Sequence, residues 1–240
     1  MEIKTEEGII ISETNYSETS KILNIFTRSG IYGLIAKGAR RPKSKFASFT
    51  SKMTRAEFTF YYKEGKISNV IEIAPLQGLK NIYKDLKALS YASYVTELLS
   101  KVYEQNKDSH LYDLLMDALF KIEEGLDPKG ISMICELKSF AYLGVDMHLD
   151  ACLCGSKDIK TFSIDEASFI CKDCYNGEKI FSMKALACLK LFKNVNLKEL
   201  NKLNIDDITK RELDEIIYAY LETYTGLYLK SRNFLNQLLV

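Results

Sequence analysis

The chain has 240 residues and a mass of 27.4 kDa, a size that accommodates one large domain or two to three small ones with a real core. Hydrophobic residues make up 47% and charged residues 27%, which excludes wholesale disorder. The formal net charge is only +1, a value that by itself argues against nucleic-acid binding. The apolar runs are too short for a membrane span, and the acidic start does not resemble a secretory signal. We therefore expect a cytoplasmic protein with reduced cysteines.

The first 78 residues show the alternation of apolar and polar side chains that is typical of β-strands. Short segments of this kind occur at 8–12, 21–27, 31–37, 55–62 and 67–73, and several of the turns between them contain glycine. Five short strands predict a small closed or partly closed barrel over residues 1–78.

From residue 81 the apolar spacing becomes helical, with a break at 146–180. Helices are predicted from 81 to about 102, over 109–124, 128–143 and 183–193, and as a long final helix that includes residues 213–232. Asp127 and Ser182 are predicted to cap the third and fourth of these helices. The chain thus divides into a barrel (1–78), a first helical part (79–145), a cysteine insert (146–180) and a second helical part (181–240), which is an α+β multi-domain fold.

Four of the six cysteines lie in the insert, as Cys152-x-Cys154 and Cys171-x2-Cys174, with sixteen residues between the pairs. This spacing is typical of a structural four-cysteine zinc site, because two tight turns can present four thiolates tetrahedrally. The first pair is shorter than the usual C-x2-C. His148 is therefore an alternative fourth ligand, and free cysteines are the other alternative.

The basic side chains are concentrated in one segment. Residues 19–56 contain nine of them and no acidic residue, so the net charge of +1 divides into +9 here and −8 for the rest of the chain. A basic loop on a small barrel suits a phosphate backbone, and Phe46, Phe49 and Tyr61 could stack on bases. A solvated loop, or one that binds acidic protein, is the alternative. The candidate nucleic-acid contacts are Lys37, Arg40, Arg41, Lys43, Lys45, Lys52 and Arg55.

A smaller basic cluster, Lys230 and Arg232, lies near the end of the chain, and no acidic residue follows Glu222. The dipole at the end of the predicted final helix accounts for these cations without any functional role, and a functional role is the alternative. Neither a phosphate-binding glycine loop nor a nucleophile elbow occurs in the sequence, so we do not expect an enzyme.

Three stretches of the sequence resemble the bacterial recombination mediator family RecO. The first runs from Gly8 through YSETSKIL (16–23) and continues as AKGARRPKS (36–44). The second is LDACLCG (149–155) with the second cysteine pair, and the third is LKSRNFL (229–235). Their order and spacing agree with that family over essentially the whole chain.

The resemblance implies an N-terminal OB-fold, a helical bundle and a zinc insert bound by Cys152, Cys154, Cys171 and Cys174. It implies a nucleoid-associated, non-enzymatic DNA repair protein of the RecF pathway that binds single- and double-stranded DNA and anneals complementary strands. With RecR, such a protein helps to load RecA onto DNA coated by single-strand-binding protein. Lys37, Arg40, Arg41, Lys43 and Lys45 would then contact DNA. Lys230, Arg232 and Phe234 would bind the acidic C-terminal tail of single-strand-binding protein.

Two other functional classes compete with this interpretation. A zinc-bearing OB-fold module that binds RNA or regulates another protein would lack strand-annealing activity. An adaptor whose basic loop binds acidic protein tails would show no salt-dependent binding to DNA.

Overall fold

The structure, a computed structural model, describes residues 2–238 and begins with a five-stranded barrel. The strands are β1 (Glu2–Tyr16), β2 (Ser20–Thr27), β3 (Gly30–Ala36), β4 (Arg55–Tyr62) and β5 (Ser68–Pro75). They close in the order β1-β2-β3-β5-β4, with β3 and β5 parallel and the other neighbours antiparallel. A closed five-stranded barrel of this kind is an OB-like fold, and the predicted fold class is confirmed.

Strand β1 is much longer than the predicted segment 8–12 because it pairs with two neighbours. Its residues 2–9 pair with β4 and its residues 8–16 pair with β2. At Gly8 a Cβ atom would lie 2.8 Å from the carbonyl oxygen of Phe26, so only glycine allows the two backbones this close approach. Residues 2–7 lack the alternation of apolar and polar side chains on which the prediction of strands rested, so this part of β1 was not predicted. In this part of the strand, Lys4 contacts β4 through its ammonium group, which lies 3.7 Å from the centroid of the Tyr62 ring.

In the part of the chain that the structure describes, six α-helices follow the barrel: α1 (Leu86–Asn106), α2 (His110–Glu123), α3 (Pro128–Tyr142), α4 (Met183–Asn194), α5 (Asp207–Tyr224) and α6 (Lys230–Leu238). Helix α1 begins five residues later than predicted, because Asp85 accepts hydrogen bonds from the first-turn amides and residues 82–84 form a short 3-10 helix. Ser182 caps α4 as predicted. Asp127 precedes α3, but its carboxylate makes no cap hydrogen bond and pairs instead with lysines.

No helix within residues 2–238 is long and apolar enough to cross a membrane.

The prediction of one long final helix is wrong, because the chain leaves the helix between α5 and α6. Gly226 has a φ of +60°, a left-handed conformation that ends helices readily. Helix α6 then begins at Lys230, so Lys230 and Arg232 lie at a helix N-terminus and not at a C-terminus. The C-terminal dipole therefore does not account for these cations. The backbone amides of Lys230 and Ser231 donate to the carboxylate of Glu97 in α1, at 3.0 and 2.8 Å.

The cysteine insert forms a sheet of its own, in the order β6-β8-β7, from β6 (His148–Cys152), β7 (Ile159–Ser163) and β8 (Ser168–Cys171). Two tyrosines of α5 hold this sheet. Tyr220 donates to the carbonyl oxygen of Val145, and Tyr224 donates to that of Ile164. Phe162 and Phe169 pack into the helical core, so the insert does not depend on a separate small core.

Two hydrophobic cores are present. The interior of the barrel is one of them, built around Ile10, Leu23, Leu34, Phe58 and Phe60. The other fills the space between the helices, and three barrel residues, Ile9, Phe26 and Met53, belong to it. The barrel therefore packs one of its faces against the helices. The Phe26 ring lies 4.8 Å from that of Tyr103 in α1.

A buried ionic cluster joins four helices near the end of the chain. Arg232 in α6 donates to Glu136 in α3 at 3.2 Å and to Asp214 in α5 at 2.6 Å. Tyr94 in α1 donates to the same oxygen of Glu136 at 2.5 Å. Glu136 is fully buried, and this burial raises the pKa of its carboxyl group even though Arg232 opposes the rise.

We expect Glu136→Ala to lower the free energy of unfolding by about 3–5 kcal/mol, because Arg232 is then left as a buried cation with one partner fewer. Urea unfolding followed by circular dichroism measures this change. Glu215→Ala is the matched control, since Glu215 pairs with Lys179 on an exposed part of α5, and its loss should cost at most about 1 kcal/mol. Equal effects of the two substitutions would contradict a special role for the buried cluster.

Candidate nucleic-acid interface and cysteine cluster

The loop that follows β3 carries the densest basic sequence, and residues 37–45 are called the basic loop below. The loop is tied to the turn between β1 and β2. The backbone amide of Arg40 donates to the carbonyl oxygen of Thr19 at 2.9 Å, and its guanidinium donates to that of Ser17 at 3.0 Å. Gly38 has a φ of +71°, which lets the chain turn at the start of the loop. Arg40 therefore positions the loop.

All five basic side chains of the basic loop are exposed and form no ion pair within residues 2–238. Arg40 and Lys45 donate to backbone carbonyl oxygens, whereas the charged groups of Lys37, Arg41 and Lys43 have no hydrogen-bond partner among those residues. Three other basic residues of segment 19–56 do have carboxylate partners. Lys21 pairs with Glu13, Arg28 with Asp113 and Arg55 with Glu7. The positive charge left without a carboxylate partner is thus concentrated on the basic loop, where it attracts anions.

Three further residues predicted to contact nucleic acid, Lys45, Lys52 and Arg55, lie in different surroundings. Lys45 is exposed and donates to the carbonyl oxygen of Ile71 at 3.1 Å. Lys52 is half-buried beside Glu97, and burial lowers the pKa of its ammonium. Arg55 lies over the ring of Phe120 in α2. The structure therefore directs Lys52 and Arg55 towards the helices and not towards the basic loop.

The aromatic residues predicted to stack on bases are only partly available. Phe46 is 7% exposed because it packs into the barrel core, which overturns its predicted role as a stacking residue. Phe49 is half-buried against the same core. Tyr61 on β4 is exposed.

A groove of about 590 Å³ is lined by residues of the β1–β2 turn and of the basic loop. Tyr16, with 49% of its surface exposed, lines it from the end of β1, and Lys37 and Arg41 line it from the basic loop. Ile35 of β3 and Asn69 of β5 also line it; they are opposite each other in the parallel pairing that closes the barrel. No sequence pattern predicts this groove, since its walls are brought together only by barrel closure and by the hydrogen bonds of Arg40.

The predicted partner-binding residues differ in exposure. Lys230 and Phe234 are exposed on α6, whereas Arg232 is 7% exposed and bound by carboxylates of α3 and α5. Arg232 therefore does not present its charge to a partner. Lys230 lines a groove of about 500 Å³ between β1 and α1, which also contains Lys52 and Glu97.

The four cysteines of the insert come together at one end of its sheet. The sulfur atoms of Cys152, Cys154, Cys171 and Cys174 all lie within 4.8 Å of one another, and His148 is not part of this group. The Sγ atoms of Cys154 and Cys171 are 3.6 Å apart. A Zn–S bond of about 2.3 Å in a tetrahedron separates two sulfurs by about 3.8 Å, so the cluster can hold a metal ion despite the short first pair.

The backbone prepares part of this cluster for ligation. The amides of Cys154 and Cys171 donate towards the sulfur of Cys152 and lower the pKa of its thiol to about 6. Hydrogen bonds with Cys154 and the other cysteines raise the pKa of Cys174 to about 12, so this thiol keeps its proton. Metal ligation requires thiolates, and a bound cation would remove the remaining protons.

Comparison with known proteins gives one family. The family model "Recombination protein O N terminal" matches residues 1–79, and "Recombination protein O C terminal" matches residues 83–233. A protein named DNA repair protein RecO from Halalkalibacterium halodurans is 37% identical over 97% of this chain and 94% of its own length. Proteins with the same name from Bacillus pumilus and Bacillus cytotoxicus are 33% and 34% identical, over 97% of this chain and 93% and 96% of theirs. Two family models that together cover almost the whole chain, and relatives matched along nearly their full length, show that this chain belongs to the RecO family.

Proposed function

We propose that this protein is a non-enzymatic DNA repair and recombination mediator of the RecF pathway that binds single- and double-stranded DNA and anneals complementary strands. The observation that carries the proposal is the basic loop, where Lys37, Arg41 and Lys43 are exposed and have no carboxylate partner in the part of the chain that the structure describes. The relatives named DNA repair protein RecO support the same assignment.

Strand annealing follows from the electrostatics of such a surface, because it requires no covalent step. Two complementary strands repel each other through their phosphates, and a cationic surface that neutralises both lets their bases meet. The chain outside residues 19–56 has a net charge of −8, which restricts the attraction for DNA to the side of the molecule that carries the basic loop. The remaining surface is then available to protein partners.

We further propose RecR and single-strand-binding protein as partners, with RecA loaded as the indirect result. Lys230 and Phe234 are exposed residues of α6 about one helical turn apart, a cation and an aromatic ring that suit an acidic tail carrying apolar side chains. Arg232 contributes by fixing α6 against α3 and α5, and not by contact with the tail.

The cysteine cluster is proposed to bind one structural Zn²⁺ ion through Cys152, Cys154, Cys171 and Cys174. Four protein thiolates fill a tetrahedral site, so such an ion would crosslink the two turns of the insert and leave no position open for catalysis. The sulfur separations support this proposal.

The triple variant Lys37→Ala, Arg41→Ala, Lys43→Ala should bind single- and double-stranded DNA at least tenfold more weakly at low salt. The plot of log affinity against log salt concentration should become shallower by about 2–3, because each lost phosphate contact removes nearly one unit of slope. Fluorescence anisotropy of labelled oligonucleotides across a salt series measures both quantities. Arg40 is left unchanged because it positions the loop.

The matched control for this variant removes three exposed lysines elsewhere, Lys157, Lys198 and Lys202, and so makes the same change in net charge. It should keep the affinity and slope of the unaltered protein. An unchanged affinity in the triple variant would remove the basic loop from the interface. Binding that is insensitive to salt would favour the adaptor alternative over a DNA-binding protein.

Elemental analysis should find about one zinc per chain in the purified protein. Cys174→Ser should reduce the zinc content to near zero and lower the melting temperature, because the insert loses its crosslink. Cys188→Ser is the control, since Cys188 lies on α4 outside the cluster, and it should keep the metal. Full zinc content in the Cys174 variant would show that the metal binds elsewhere.

Annealing of complementary strands coated with single-strand-binding protein tests the mediator function directly. The protein should accelerate it, and Lys230→Ala with Phe234→Ala should reduce this acceleration while the annealing of uncoated strands stays unchanged. That difference is expected because the two residues are proposed to contact the tail and not DNA. If the double variant accelerates the annealing of coated strands as much as the unaltered protein does, α6 is not the binding site for the tail. If the unaltered protein accelerates neither reaction, the mediator function is wrong.

A further inference from the structure

We propose that the groove between the β1–β2 turn and the basic loop is a subsite for one unpaired base of single-stranded DNA, with Tyr16 as the ring on which the base stacks. The proposal deepens the proposed function and rests on it, because it assumes that the basic loop binds the phosphate backbone. It assigns a role to Tyr16 and to the groove that the charge of the loop does not account for.

The first observation is the exposure of a large aromatic ring at the edge of the basic surface. Tyr16 is the last residue of β1, and about half of its surface is exposed. The turn that follows is sharp, since Ser17 has a φ of +51°. An exposed aromatic ring beside cations is the arrangement by which proteins bind single strands, because every base offers a π-face.

The second observation is the composition of the groove. Ile35 contributes an apolar surface and Asn69 an amide that can donate and accept hydrogen bonds. Lys37 and Arg41 of the basic loop line the same groove and supply positive charge. No acidic residue lines the groove, and Glu18, which belongs to the same turn as Ser17, is not among its lining residues. An apolar surface for a base and a cationic rim for its phosphate suit a nucleotide.

The third observation is that the two sides of the groove are fixed to each other. Arg40 bonds to the carbonyl oxygens of Ser17 and Thr19 through its side chain and backbone, and the amide of Gly38 donates to the hydroxyl of Ser20 at 3.4 Å. The spacing between Tyr16 and the cations is therefore set before DNA arrives, which lowers the entropic cost of binding. The volume of about 590 Å³ is within the range of about 300–1,000 Å³ that is common for small-ligand sites.

This subsite distinguishes single strands from duplexes. A base in a duplex is covered on both faces by its neighbours, so Tyr16 cannot stack on it unless the base leaves the helix at a cost of unpairing. The cations of the basic loop, in contrast, contact the phosphates of either form. Tyr16 should therefore add affinity for single strands only.

The experiment compares Tyr16→Ala with the unaltered protein on three ligands of equal length: an oligo-dT strand, a duplex and an abasic strand that has phosphates but no bases. Fluorescence anisotropy should show affinity for oligo-dT reduced about tenfold, since base stacking contributes on this scale. Affinity for the duplex and for the abasic strand should stay unchanged. Tyr16→Phe keeps the ring and should bind all three as the unaltered protein does.

Tyr228→Ala is the matched control, because Tyr228 is an exposed tyrosine in the connection between α5 and α6, and it should not change binding. Thermal unfolding of each variant shows whether the fold is retained. Unchanged affinity of Tyr16→Ala for oligo-dT would overturn the proposal. So would an equal loss on all three ligands, because Tyr16 would then act on the backbone or on the shape of the loop. If the unaltered protein binds none of the ligands, the proposed function itself fails, which is a different outcome from the failure of the subsite alone.

Discussion

The position of helix α6 in the helical bundle depends on one buried pair, Arg232 with Glu136. A fully buried carboxylate is costly unless a cation meets it, and the only cation that does so within residues 2–238 is delivered by the last helix of the chain. The same guanidinium reaches Asp214, and its carbon lies 4.9 Å from the centroid of the Tyr218 ring. The cluster around Arg232 therefore connects α1, α3 and α5 to α6. Helix α6 has only nine residues, and a helix of this length is not stable by its own propensity.

The distribution of charge, and not its total, determines which surface attracts anions. Carboxylates of β1 and α2 neutralise Lys21, Arg28 and Arg55, whereas the basic loop extends away from them. The loop is held by hydrogen bonds from Arg40 to backbone carbonyls, so no acidic residue is needed to order it. The molecule therefore keeps its positive charges close together without a network of ion pairs that would cancel their field.

Local patterns predicted the fold well, and long-range contacts were the part they missed. Strands β2 to β5 and the first four helices followed from alternation, helical spacing and caps such as Ser182. The cysteine spacing correctly predicted a cluster of four sulfurs. The break at Gly226 is a local glycine signal that the helical spacing did not reveal, whereas the burial of Phe46 and the groove beside Tyr16 depend on residues far apart in sequence. No periodicity reports such contacts. The role of Arg232 was missed for the same reason, because its partners are 96 and 18 residues away.

The carboxylate of Glu97 in α1 interacts with residues from both the N-terminal and the C-terminal part of the chain. Its carboxylate caps the first turn of α6, while its charge faces Lys52, which belongs to the connection between β3 and β4. Barrel residues Ile9, Phe26 and Met53 meanwhile complete the core of the helices. A truncation before residue 230 would therefore affect residues of the barrel that are far from it in sequence. It would uncover a carboxylate next to the barrel and loosen the support on which the barrel rests, so a change at the C-terminus would also affect the proposed DNA-binding surface in the first fifty residues.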